Sequence, residues 1–129
     1  MGTITEDYVS FETAKLLKDK GFNVEGSRFY MPNGHGMWKY GYYHDFDISE
    51  RIECPTHQMA MKWLREAHKI YIDISPTYSE AEKTIHFIWQ IFDSNYDFAG
   101  DCEIFYDKYE QACEAAIKYC LENLIFCNT

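Results

Sequence analysis

The sequence predicts an α+β fold, an antiparallel sheet of three to five strands with helices packed on one face, in the order α-(β-β)-α-β-β-β-α. Three observations carry that prediction. Residues 69–75 carry isoleucine at every second position, and residues 83–93 line one face with Ile85, Phe87, Trp89 and Ile91, the period-two signature of strands. Residues 109–124 space their apolar side chains for one face of a helix. Consecutive strands joined by short connections favour an antiparallel meander, because a parallel pair needs a long crossover. No linker, composition shift or repeat divides residues 1–129, so a single domain is expected.

The first helix is expected from Ser10 to Lys20. Ser10 can accept from a free amide of the first turn, and Phe11, Ala14 and Leu17, with Leu16 beside them, form the apolar side. Gly21 stands where a left-handed stop is wanted, and Phe22 can fold back on the last turn. Next, Arg28 to Met31 reads as a short strand, Pro32-Asn33-Gly34 as a turn, and Met37 to Tyr43 as the hairpin partner or part of a long aromatic loop. Pro55-Thr56 opens a second helix running to about His68, with Met59, Ala60, Trp63, Leu64 and Ala67 as its apolar stripe.

Lys69 to Ser75 then reads as a strand ended by Pro76. In Lys83 to Asp93, Ile85, Phe87, Trp89 and Ile91 line one face, and Thr84, His86, Ile88, Gln90 and Phe92 the other. Ser94 to Asp101 is expected as a loop and Cys102 to Tyr106 as a short third strand. In the last helix, Tyr109, Ala112, Cys113, Ala116, Ile117, Cys120, Leu121 and Leu124 share one face. Lys108, Glu110, Glu114, Lys118 and Glu122 are expected on the opposite face, with Glu114 and Lys118 as an i,i+4 pair.

Composition limits the function classes. The 129 residues are 47% hydrophobic and 18% aromatic, enough apolar surface to order the chain without metal or disulfide staples. The net charge is −9, and Lys and Arg are scattered singly, so nucleic acid is not expected as a partner. The helix–strand–strand–strand–helix order also occurs in double-stranded-RNA-binding domains, which grip phosphates with lysines at the last helix. Here that place reads Tyr106-Asp107-Lys108-Tyr109-Glu110. No secretory leader or membrane span is read, and five cysteines without framework spacing suggest free thiols in a reducing cytoplasm.

Chemistry-bearing motifs are sparse. Cys54-Pro55-Thr56-His57 has the spacing of half a zinc site, but His35, His44 and Cys102 supply no closely spaced second pair, so no metal or other cofactor is expected. Cys113 and Cys120 fall on the apolar stripe and read as core filling. His44, Asp45 and Asp47 can be drawn as a base with orienting carboxylates, a small-ligand or metal-binding enzyme site, yet no G-x-S-x-G or Cys–His pair supplies a nucleophile. The chain is therefore expected not to be an enzyme. Phe29, Tyr30, Trp38, Tyr40, Tyr42, Tyr43 and Phe46 form a dense aromatic segment, of which Tyr30, Trp38, Tyr40, Tyr42 and Tyr43 are the candidate binding residues for a protein partner or a second copy.

Three stretches carry a resemblance: residues 9–18 (VSFETAKLLK), 55–66 (PTHQMAMKWLRE) with the alternating strand after them, and 109–121 (YEQACEAAIKYCL). Together they resemble a family of small uncharacterised proteins from phages and prophages of gut Bacteroidetes. Residues 26–47 and the strand around Trp89 do not share in it. The resemblance implies a phage or prophage setting and no catalytic residues. The expected function is thus a small accessory protein that binds another protein. The alternatives are an acidic nucleic-acid-mimicking decoy of a host enzyme and the ligand or metal site around His44.

Overall fold

The computed structural model describes residues 7–24, 28–30, 37–39 and 51–125, with 37–39 as backbone. Helix α1 (Phe11–Asp19) starts where Ser10 accepts from the Thr13 amide and ends in a Schellman turn. Gly21, at φ +99°, donates to Lys18, while Phe22 donates to Leu17 at 2.9 Å. Just before this helix, the 7–9 segment pairs with the residues entering α2 (His57–His68). Val9 donates to Pro55 at 3.0 Å and His57 donates to Asp7 at 2.9 Å. The N-termini of the two helices are thereby brought side by side.

The α+β class and element order hold, and the strands divide into two antiparallel sheets. Strands β1 (Arg28–Tyr30), β2 (Met37–Lys39) and β3 (Ile52–Glu53) form one sheet in the order β2-β1-β3. Strands β4 (Tyr71–Ser79), β5 (Thr84–Phe92) and β6 (Phe98–Asp101) form the other, in sequence order. Of the expected 28–31 and 37–43 hairpin, residues 28–30 and 37–39 pair as β1 and β2, in register Phe29 to Trp38, while Met31 and residues 40–43 lie outside the described residues. Helix α3 (Tyr109–Asn123) lies across β5 and β4, and α1 and α2 pack on α3. Buried Leu17, Leu64, Trp89, Ile91, Ala116, Ile117 and Leu121 meet in one core between the helices and the second sheet.

Several boundaries differ from expectation for physical reasons. Strand β4 runs through Pro76 to Ser79. Phe87, which faces Pro76, directs both backbone groups at Tyr106, donating at 2.7 Å and accepting at 2.9 Å. The missing N–H of Pro76 therefore falls on the free edge of an outer strand, where it costs no ladder bond. The third strand is not Cys102–Tyr106 but Phe98–Asp101, because Asp93 closes the preceding turn early by accepting from the amides of Asn95 and Asp97 at 2.9 and 3.0 Å. The 102–106 stretch bonds the backbone of β5 through Cys102 and Tyr106, and Ile104 and Phe105 are exposed, the Phe105 ring lying 6.2 Å from that of His86.

In α2 the buried stripe is His57, Ala60, Met61 and Leu64, while Met59 and Ala67 are exposed and Trp63 is half-buried. Trp63 instead packs edge-on against Phe22 at 5.3 Å. The helix stops at Lys69, which adopts φ 57° although it is not glycine. In α3, Glu114 turns inward and Lys118 bonds Glu12 at 2.9 Å rather than Glu114. The start of α3 is closed by Gln111, which accepts from the Lys108 amide at 3.2 Å.

Candidate functional site

The best-connected polar cluster lies where the three helices meet. The Glu114 carboxylate accepts from His57 Nε2 at 2.9 Å, Ser10 Oγ at 2.8 Å, the Ser10 amide at 3.1 Å, and Thr13 Oγ1. It sits at the adjoining N-termini of α1 and α2, where helix dipoles also favour negative charge. Burial alone would raise this carboxyl, but the bonds from His57, Thr13 and Ser10 outweigh it and hold the group down to about 2. A carboxylate so strongly held is a poor base, and it stands between the hydroxyls and the imidazole, the wrong order for activating either hydroxyl. The cluster is a clasp between helices. Spacing assigns Ser10 to a helix cap, His57 to half a zinc site and Glu114 to a surface pair with Lys118, and only the fold brings these three and Thr13 together.

The expected site residues are placed as follows. Tyr30 donates its hydroxyl to the Val9 carbonyl at 3.0 Å and sets its ring edge-on to Phe11 at 5.4 Å. Burial, followed by the neighbouring Cys54, pushes its phenol up to about 12. Trp38 is placed by its backbone in β2. Tyr40, Tyr42, Tyr43, His44, Asp45 and Asp47 lie outside the described residues. Cys54 donates to the Val9 carbonyl at 3.5 Å while His57 is engaged by Glu114, so the Cys54–His57 pair does not converge on one point. Among the described residues, no three His, Cys, Asp or Glu side chains are grouped to hold a metal ion. No helix among them is long and apolar enough to cross a membrane.

The second sheet presents the other candidate. Trp89 and Ile91 face α3, so alternation turns Gln90 and Phe92 to the opposite side. Cross-strand register aligns Tyr71, Phe92 and Phe98 in one row and Asp73, Gln90 and Asp101 in the next. The register shift at Ile91/Phe92 lets both Phe98 and Asp101 keep to this outer face. Tyr96 stacks on Phe92 with centroids 4.8 Å apart and planes 8° from parallel. Tyr71, Phe98 and Tyr96 are 40%, 59% and 77% exposed. Between them, Tyr71, Ile72, Asp73, Gln90, Phe92 and Tyr96 line a cleft of about 350 Å³.

The sequence does not mark this face by its densest aromatic run, which lies at residues 29–46. Phe92, Tyr96 and Phe98 closely spaced around a turn were the available signal. At the far end of the same sheet, Tyr78 and Ile85 pair beyond the helices and are also exposed. Comparison with family profiles, curated protein sequences and solved structures finds no match to the chain.

Proposed function

We propose that the chain is a small non-enzymatic accessory protein that binds another protein through the outer face of the β4-β5-β6 sheet. The observation that carries this reading is the row of exposed Tyr71, half-buried Phe92 and exposed Phe98, with exposed Tyr96 stacked on Phe92. Adjacent exposed aromatic side chains are costly to leave in water and dominate the energetics of protein interfaces. The resemblance of the helical segments to phage and prophage proteins favours an accessory role inside a bacterial host. The aromatic segment containing Trp38, Tyr40, Tyr42 and Tyr43 is a second contact region in this reading, and a second copy of the chain is one partner to test.

A decoy that mimics nucleic acid is the second reading, favoured by the net charge of −9 and by Asp73 and Asp101 in one row of the same face. Affinity capture from a bacterial lysate, comparing the wild type with a Tyr71→Ala/Phe98→Ala variant, separates the two. A stoichiometric partner retained at moderate salt by the wild type and lost by the variant supports the aromatic interface. A partner that both proteins bind, and that leaves as salt rises, supports the decoy.

A further inference from the structure

We infer that the cleft beside Tyr71, Phe92 and Tyr96 receives an arginine side chain of the protein partner. This rests on the reading of the outer sheet face as a protein-binding surface, and it names the chemistry that the face selects. The cleft, about 350 Å³, lies at the small end of the ligand-pocket range and suits the end of one long side chain. Its apolar walls are ring surfaces: Tyr71 on the edge strand, and Phe92 backed by the stacked Tyr96. Its polar groups are the Asp73 carboxylate and the Gln90 amide, paired across the strands, with Asp101 on the other side of Gln90.

The carboxylate is held in place. Asp73 Oδ2 accepts from Ser75 Oγ at 2.9 Å, and Oδ1 takes no hydrogen bond among the described residues. The wall is held too. Tyr96 adopts φ 63°, a conformation unfavourable for a tyrosine, and the turn that imposes it is tied to Asp93. Ring faces beside a carboxylate are complementary to a planar cation. A guanidinium can stack on a ring and donate in its own plane to the acid, so both features are used at once.

Other occupants use less of the site. An anion is repelled by Asp73 and Asp101. An uncharged apolar side chain buries the rings but leaves the carboxylate desolvated. A lysine ammonium keeps the charge yet is a strongly hydrated point with no flat face. The net charge of −9 adds long-range attraction for a basic partner.

The test is an NMR titration of the full chain, at about 0.15 M salt, with a short acetylated Arg-Gly repeat peptide and its lysine and citrulline counterparts. The arginine peptide should move the amides of Tyr71, Asp73, Gln90, Phe92 and Tyr96. Replacement of arginine by citrulline, or Asp73→Asn in the protein, should each weaken binding at least about tenfold. The lysine peptide should bind more weakly than the arginine one. Shifts scattered over the acidic surface and equal for lysine and arginine overturn the inference, as does silence at those five amides. A parallel binding measurement on the captured partner separates the two levels. If Tyr71→Ala/Phe98→Ala abolishes the complex while Asp73→Asn leaves it intact, the arginine inference falls and the protein-binding reading stands. If neither variant changes binding, both fall.

Discussion

Replacing Glu114 by glutamine removes one negative charge from the point where α1, α2 and α3 meet. The carboxyl shifts from an ordinary value of 4.5 to about 2 in the folded chain. The folded value is the lower one, so this stabilisation is fully present above the unfolded value and is lost as pH falls through the folded one. A displacement of that size corresponds to about 3 kcal/mol at neutral pH. At pH 3 only about 1.4 kcal/mol of it remains, and near pH 2 almost none. Urea unfolding followed by tryptophan fluorescence, on wild type and Glu114→Gln at pH 7 and pH 3, measures the difference directly. The variant should be less stable by about 3 kcal/mol at pH 7, and the gap should shrink by half or more at pH 3. A gap that is absent at pH 7, or equal at the two pH values, refutes the clasp.

Other outcomes follow from the same packing. His57→Ala leaves the buried end of Glu114 without its imidazole donor and should destabilise the fold by about 2–3 kcal/mol, measured by the same unfolding assay. Lys69→Gly relieves the left-handed stop of α2 and should raise stability by about 0.5–1 kcal/mol, visible as a higher melting temperature. A Cβ on Gly100 would stand 2.8 Å from the Tyr119 ring, which is itself packed at 5.0 Å on Trp89. Gly100→Ala should therefore cost about 1–3 kcal/mol in denaturation. Burial pushes the Cys113 thiol up to about 11 and Cys120 up to about 12, so both should resist alkylation in the native protein while half-buried Cys102 reacts first among the described cysteines. Mass spectrometry of briefly alkylated protein checks this order.

What could be read from the sequence was what local periodicity encodes. Ser10, Gly21 and Thr56 announce helix ends because caps act within one turn. The run from Ile85 to Ile91 announces a strand because its side chains alternate over several residues. Long-range partners are not encoded that way. Glu114 falls on the polar side of its helix by spacing, and only the pairing of the 7–9 segment with residues 55–57 brings Ser10, Thr13 and His57 to it. Pro76 reads as a strand end unless its N–H position is known to face an open edge. Both faces of β5 carry apolar residues, so periodicity alone does not say which one α3 covers. That choice decides whether Phe92 is core or, with Tyr71 and Phe98, a binding surface.

The most direct test of the binding surface is hydroxyl-radical footprinting of the chain, free and in complex with its captured partner. Binding should strongly protect Tyr71, Tyr96 and Phe98 and leave exposed Tyr78, at the far end of the sheet, unchanged. Full reactivity of Tyr71, Tyr96 and Phe98 in a saturated complex would contradict it and move the interface elsewhere on the molecule.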